Sequence, residues 1–214
     1  MISVCVPVLK RYDLLRKMIL SLNESTVPLT MEIIDNGQDN ARLTKAIAEA
    51  TFPVNVFSPS EPMGLAEAWN WFITNIREER FITNDDITFA PDSLEKMVAA
   101  TASFVSCGFG FSCFLIRDAC VEKVGVFDET ISPGYAYFED MDYLRRMRLA
   151  DVCDAVVQCG VQHKQSATPE YFTDAEWTAH HQKFQRAASN YRTKWESDPS
   201  WEQLRGIGGA GVNS

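Results

Sequence analysis

The sequence lacks long apolar runs and metal-type cysteine spacing. No apolar run among its 214 residues approaches the roughly 18 residues of a membrane-spanning helix. The apolar start, residues 1–11, has no preceding basic region and is too short for a signal peptide. The six cysteines form no Cys-x-x-Cys pair and mostly lie in strand-like runs, so we interpret them as buried hydrophobic residues in a reducing compartment. These absences predict a cytoplasmic protein without an integral membrane segment.

Positive charge is also scarce. The 20 Lys and Arg residues stand against 29 Asp and Glu, the net charge is -9, and no Lys/Arg cluster is evident. Such a surface disfavours broad contact with a nucleic-acid backbone, although it leaves open a nucleic-acid substrate reached at a local site. A phosphorylated small molecule would need a bound cation or a nest of backbone N–H groups.

Strand and helix patterns alternate through the first ninety residues. Buried-strand patterns occupy residues 2–9, 31–37, 54–58 and 80–86, and helical patterns lie between them. This alternation predicts a parallel sheet with right-handed crossovers, in which ligands bind beyond the carboxyl ends of the strands. The fold class is therefore α/β, a Rossmann-like and mostly parallel central sheet flanked by helices.

The order changes after Pro91. Residues 103–117 have the pattern of one long strand or a hairpin, and residues 152–164 that of a last strand. We divide the chain into a main domain at 1–165, a helical C-terminal extension at 166–205 packed on it, and a flexible tail at 206–214. The extension could cap one side of a binding site or cover the sheet, and covering is favoured. Its aromatic residues are Tyr171, Phe172, Trp177, Trp195 and Trp201.

The stretch FITNDDITF, residues 81–89, breaks a strand pattern with Asn84, Asp85 and Asp86. The three residues could form a simple turn. Strand residues continue directly after them, however, and adjacent carboxylates are unfavourable unless a cation compensates their charge. Oxygen ligands of this kind suit Mg²⁺ or Mn²⁺ held together with substrate phosphates.

A second acidic group, in the stretch FEDMDY, contains Glu139, Asp140 and Asp142. These residues could only decorate a helix N-terminus, where negative charge is favourable. Alternatively, a carboxylate at this helix start, below a loop rich in aromatic residues, could accept a proton from a substrate hydroxyl.

Three isolated polar residues have a structural and a functional interpretation. Asp35 follows a strand and is either a turn residue or a contact for the polar edge of a ligand. His163 is either a strand-end histidine or a third metal ligand. Asn70 is the polar exception on a helix whose other residues have the spacing of core packing.

In order along the chain, these segments resemble the GT-A glycosyltransferases, and in particular glycosyltransferase family 2. The resemblance covers residues 2 to about 165. It rests on five segments with typical spacing: SVCVPVLKRYDLLRKMILSL, EIIDNG, GLAEAWN, ITNDDITFAPDSLEKMV, and VGVFDE followed by YFEDMDYLRRMRLA.

The resemblance implies a role for each matching residue. Asp86 corresponds to the metal-binding last acid of the DxD motif, Asp85 to its middle position, and Asn84 replaces the first acid, which usually touches the ribose or sugar. Other implied roles are a base contact at Asp35, a general base at Asp140 with Glu139 beside it, a metal ligand at His163, and donor contacts at Pro7, Gly64 and Asn70.

The implied activity is inverting transfer of a sugar from a nucleotide-diphosphate sugar, with a UDP-sugar as the expected donor and Mn²⁺ or Mg²⁺ as cofactor. The acceptor could be a glycan, a protein or a modified nucleobase. Two alternatives stay open: a non-catalytic nucleotide-sugar binding module and a sugar-phosphate nucleotidyltransferase. The latter would need a Gly-rich basic loop after the first strand, whereas the stretch PVLKRYD has no glycine.

Overall fold

The computed structural model describes residues 2–164 and 173–197. The strands are β1 (Ile2–Val8), β2 (Leu29–Asp35), β3 (Val54–Phe57), β4 (Glu79–Thr83), β5 (Ile87–Thr88), β6 (Phe104–Ser106), β7 (Cys113–Ile116), β8 (Asp154–Val156) and β9 (Gln162–His163). The α-helices are α1 (Tyr12–Leu22), α2 (Asn40–Ile47), α3 (Leu65–Asn75), α4 (Ser93–Ala99), α5 (Asp118–Val124), α6 (Glu139–Leu149) and α7 (Asp174–Trp195).

The main sheet has the strand order β3-β2-β1-β4-β7-β6-β8. Strands β3, β2, β1 and β4 are parallel to one another, and β8 is parallel to β6, whereas β7 runs antiparallel to both β4 and β6. Strands β5 and β9 form a separate antiparallel pair. The predicted mostly parallel sheet flanked by helices, with a C-terminal helix, is confirmed.

The continuous apolar run of β1 is explained by its place in the middle of this sheet. Alternate side chains of a strand point to opposite faces. Val4 and Val6 enter the core that also contains Met18 of α1, while Cys5 enters the core on the other face with Trp69 of α3. Both faces are therefore buried, and a polar residue would be unfavourable on either.

The structure decides two predictions for the second half of the chain. Residues 103–117 form the hairpin β6–β7, closed through a short 3-10 turn at Gly110–Ser112. The single last strand predicted for residues 152–164 is wrong, because β8 pairs with β6 and β9 pairs with β5. The chain changes sheets at Gly160, where φ is 75° and an added Cβ would lie 2.8 Å from Cβ of Ala90.

Helix α7 packs on α6 and on the loop before it. Tyr191 forms a small core with Met141 of α6, and Phe138 and Trp195 pack against it. In helix α7, the part of the extension that the structure describes, these aromatic contacts are made with α6 and not with the sheet. That residues 166–172 and 198–205 cover the sheet stays a prediction. The predicted contributions of Tyr171, Phe172, Trp201 and the tail 206–214 lie outside the residues that the structure describes. Within residues 2–164 and 173–197, no helix has both the length and the apolar character to cross a bilayer.

Candidate active site

Parallel pairing brings the ends of three strands to one edge of the sheet. Val8, the last residue of β1, pairs with Asp35, the last residue of β2. Strand β4 runs in the same direction and ends at Thr83, directly before Asn84. The polar residues that follow β2 and β4 therefore lie on the same edge, where open α/β sheets bind ligands.

Asp35 is fully buried at this edge and is held through one oxygen only. The hydroxyl of Tyr12 and the backbone N–H of Gln38 both donate hydrogen bonds to its Oδ1, the latter at 3.1 Å. Its Oδ2 is buried and accepts no hydrogen bond from any residue that the structure describes. Buried carboxylate oxygens are normally hydrogen-bonded, so Oδ2 is an available acceptor for a ligand N–H group.

A cleft of about 520 Å³ lies beside Tyr12, and it is lined by Leu9, Lys10, Arg11, Tyr12, Asp13, Gly37, Asp39 and Arg42. The expectation that the chain has no Lys/Arg cluster is wrong here, because three cations line this cleft. Arg42 lies over the Tyr12 ring, with its guanidinium carbon 5.1 Å from the ring centroid. The adjacent pair Lys10-Arg11 after β1 was the only sequence signal, since Arg42 reaches the cleft from α2.

The break in FITNDDITF is the point where the chain leaves the main sheet. The N–H of Asn84 donates to the carbonyl of Ser112 at 2.9 Å, and the strand resumes as β5 in the small sheet. Asp85 is buried at this transition. Burial first, and then the neighbouring charge of Asp86, raise the pKa of Asp85 to about 7.

Asp86 and His163 are brought together by the small sheet. His163 pairs with Ile87, and the N–H of Lys164 donates to the Asp86 carbonyl at 3.0 Å. Nε2 of His163 lies 3.1 Å from Oδ1 of Asp86, but the contact lacks hydrogen-bond geometry. This buried oxygen accepts no hydrogen bond from residues 2–164 or 173–197. The ring of Phe109 packs edge-on against His163, with centroids 5.4 Å apart.

This donor set could hold a divalent cation. Two neighbouring ligands of an octahedral ion, each about 2.1 Å from the metal, are about 3 Å apart, close to the observed spacing. An orphaned carboxylate oxygen facing an imidazole nitrogen fits that arrangement. In the part of the chain that the structure describes, no three His, Cys, Asp or Glu side chains form a complete site, so a bound ion would need further ligands such as phosphate oxygens.

The second acidic group starts α6. Glu139 is buried, and the hydroxyl of Ser132 donates to its Oε2 at 2.8 Å. Asp140 is partly exposed and accepts a hydrogen bond from the N–H of Met141 at 2.7 Å. Asp140 has some contact with solvent, but the protein atoms packed around both carboxyl groups desolvate them, and this is the main cause that raises the pKa of each; the charge of Asp140 adds to the effect on Glu139. Asp140 is consequently a stronger base than an exposed aspartate.

Asp142, the third acid of this group, has a different environment. It is fully buried and accepts hydrogen bonds from Arg146 at 2.8 Å and from the indole N–H of Trp195 at 2.9 Å. Lys194 also lies 2.7 Å from its Oδ1. Asp142 therefore anchors α7 on α6.

Three residues were predicted to contact the donor: Pro7 in β1, Gly64 directly before α3, and Asn70 in α3. Each of them lies against other parts of the protein. The Asn70 amide donates to the carbonyl of Phe127 and to Glu129, and it accepts from the N–H of Phe127. At Gly64, an added Cβ would lie 2.8 Å from the backbone nitrogen of Tyr135. Pro7 lies opposite Ile34 near the end of β1. Their donor contacts stay predictions.

Comparison with known proteins gives one family match and several structural similarities. The family model described as "Glycosyl transferase family 2" matches residues 3–114. Among curated protein sequences, none matches the chain.

Solved structures similar to this chain include those of TarS from S. aureus. TarS 1-349 in complex with UDP-GlcNAc superposes with a TM-score of 0.61 at 10% identity, covering 89% of this chain and 66% of that one. TarS 1-349 without a named ligand gives 0.57 at 12% identity, covering 73% and 58%. The UDP complex gives 0.55 at 12% identity, covering 73% and 57%. At these identities the similarity shows the fold, and the chain spans about three fifths of the TarS 1-349 chains.

Proposed function

Because the chain belongs to glycosyl transferase family 2, we propose that it transfers a sugar from a UDP-sugar to an acceptor hydroxyl. One observation carries the proposal: the sheet edge that presents the unpartnered oxygen of Asp35 also presents the unpartnered oxygen of Asp86 beside His163. The first oxygen suits a nucleobase N–H, and the second suits a phosphate-bound cation. The TarS complexes with UDP and UDP-GlcNAc support uridine as the nucleoside.

On the donor side, Oδ2 of Asp35 would accept a hydrogen bond from the N–H of uracil. Tyr12 and Gln38 keep Oδ1 occupied, so only Oδ2 is available to the base. Asp86 and His163 would hold Mn²⁺ or Mg²⁺, with Asp85 and Asn84 beside them. Such an ion supplies electrostatic stabilisation of the charge that develops on a leaving diphosphate.

On the acceptor side, Asp140 would take the proton of the attacking hydroxyl. The hydroxyl oxygen bonds to the anomeric carbon as the bond from that carbon to the diphosphate breaks, which inverts the configuration. The raised pKa of Asp140 increases its basicity, and positioned base catalysis contributes roughly 100- to 10,000-fold. Glu139, which accepts a hydrogen bond from Ser132, is the adjacent residue.

The acceptor is a glycan, a protein or a modified nucleobase, and the net charge of -9 favours an acceptor without a dense phosphate backbone. The predicted cytoplasmic location stays a prediction.

The proposal can be tested without knowing the acceptor. The thermal stability of the purified chain is measured with UDP, UDP-GlcNAc and other nucleotide-sugars, with and without Mn²⁺. A ligand at 100 times its Kd stabilises the folded state by about 2.7 kcal/mol, which is readily detected. Release of UDP from the stabilising donor is then followed over time.

The possible outcomes separate the three function classes. Manganese-dependent stabilisation by a UDP-sugar, with slow UDP release, supports the transferase. Stabilisation without any turnover would favour a binding module. Release of pyrophosphate from UTP and a sugar phosphate would favour a nucleotidyltransferase, and no response to any nucleotide would contradict the proposal.

A further inference from the structure

The backbone immediately before Glu139 and Asp140 is strained. Tyr137 has φ 100° and Phe138 has φ 69°, both in the left-handed region that residues with a Cβ rarely adopt. Two consecutive aromatic residues in this conformation persist only when their surroundings hold them there. Any relaxation of this turn would rotate the start of α6 and displace the Asp140 carboxylate.

His180 of α7 contacts the hydroxyl groups on this strained segment. The hydroxyl of Tyr135 is hydrogen-bonded to Nδ1 of His180, and the hydroxyl of Tyr137 lies 3.3 Å from Nε2. The imidazole also packs edge-on against both rings, with centroids 5.6 and 5.4 Å away. One side chain therefore fixes two tyrosines through both of its nitrogens.

The remainder of α7 continues this support along the loop and the start of α6. Phe184 packs on Tyr137 and Phe138, with ring centroids 5.1 and 5.0 Å away. Asn190 donates to the carbonyls of Thr130 and Ile131, each at 3.1 Å. Near its C-terminal end, α7 also contacts Asp142 through Lys194 and Trp195. Helix α7 therefore lies along both the loop before α6 and the first turn of α6.

The chemistry of a neutral imidazole matches its two partners. A neutral ring has one nitrogen that accepts and one that donates, so it can accept from one hydroxyl and donate to the other. Burial, and then the nearby His181, lower the pKa of His180, which favours this neutral form. The adjacent His181 is exposed on the same helix.

We propose that His180 is a positioning residue: by fixing Tyr135 and Tyr137, it holds the strained turn that places Asp140 for proton transfer. This inference rests on the proposed function only for its catalytic consequence, because the mechanical part concerns the backbone of residues 135–140. His180 itself does not contact the reacting atoms in this scheme.

The mechanical part is tested by hydrogen exchange. His180→Phe keeps an aromatic ring but removes both hydrogen bonds, and His181→Phe makes the same change at the exposed neighbouring position. We expect faster amide exchange across residues 135–142 in His180→Phe, by about tenfold or more, and none in His181→Phe. Exchange in β1 and β4 reports whether His180→Phe remains folded. Unchanged exchange at 135–142 in a folded His180→Phe would overturn the inference.

The catalytic part is tested by UDP release from UDP-GlcNAc with Mn²⁺. We expect kcat to fall by about 10- to 100-fold in His180→Phe while the affinity for UDP stays unchanged, because a misplaced base slows the chemical step without altering the donor site. His180→Gln, which can accept and donate, should recover part of the loss. If wild-type protein releases no UDP, the proposed function fails while the exchange result still stands. If wild-type protein is active and His180→Phe matches it, the positioning role is wrong.

Discussion

Replacing Asn70 by alanine should destabilise the protein, because its amide is hydrogen-bonded to the buried backbone of Phe127. The amide of Asn70 donates to the carbonyl of Phe127 at 2.9 Å and to Glu129 at 2.8 Å, and it accepts from the N–H of Phe127 at 2.8 Å. These bonds connect α3 to the loop that leads towards the acidic pair of α6. Both backbone groups of Phe127 would lose their partner in the alanine variant.

The magnitude follows from burial. Asn70 and Phe127 are both buried, so water cannot easily replace the lost bonds. An unsatisfied buried backbone group costs about 1 to 3 kcal/mol, and two such groups give a loss of about 2 to 4 kcal/mol after partial relaxation. In a domain of this size, each kcal/mol lowers Tm by about 2 to 4 °C, so we expect a decrease of about 4 to 16 °C.

The assay is thermal unfolding followed by circular dichroism, with UDP affinity measured by calorimetry well below Tm. Asn75→Ala is the matched control, because Asn75 is exposed on the same helix and its amide donates to the carbonyl of Trp71, within that helix. A Tm for Asn70→Ala within about 2 °C of the control would refute the structural reasoning. A large loss of UDP affinity in folded Asn70→Ala would instead support the donor contact that the family resemblance implies.

Four further predictions concern the acidic groups and Tyr12. Asp140→Asn should lower UDP-sugar turnover at least 100-fold while UDP and Mn²⁺ still bind, and a variant as active as wild type would remove Asp140 as the base. Asp86→Ala should abolish the Mn²⁺-dependent part of UDP binding in calorimetry, whereas unchanged binding would exclude Asp86 as a ligand. Tyr12→Phe removes one of the two hydrogen bonds that hold the Asp35 carboxylate in place, so it should weaken UDP binding about tenfold. Tyr143→Phe removes the hydroxyl of a distant buried tyrosine and should keep full affinity. Glu139→Gln should raise Tm at about pH 8 and much less at about pH 5. The raised pKa of Glu139 means that its ionised form destabilises the fold, so the wild-type protein loses stability as pH rises through that pKa. A Tm difference between Glu139→Gln and wild type that grows towards acidic pH would contradict this.

Short-range patterns were sufficient for most of the fold and for several site residues. The β1 run and the helical period of α1 are properties of neighbouring residues, and so is the break at Asn84–Asp86. Asp35, Asp86 and Asp140 each follow a local signal, a strand end or a helix start. The match to the family model over residues 3–114 includes Asp35 and Asp86, whereas Asp140 lies beyond it.

Contacts between distant segments could not be predicted in the same way. The pairing of Asp86 with His163 depends on the register of β5 and β9, and the predicted single strand over residues 152–164 concealed that small sheet. The cations of the cleft meet only because α1 and α2 begin at the same sheet edge. No periodicity in α7 indicates that its His180 lies between two tyrosines of another segment.

The sequence by itself therefore determined the secondary-structure order, the parallel sheet and the acidic residues at its edge, because these depend on propensity and on periods of a few residues. Tertiary structure alone decided which of those acids have an unpartnered buried oxygen, which anchor a helix, and which follow a strained turn. Those properties depend on burial and on hydrogen-bond partners supplied from far along the chain, as the contrast between Asp86 beside His163 and Asp142 beneath Trp195 shows.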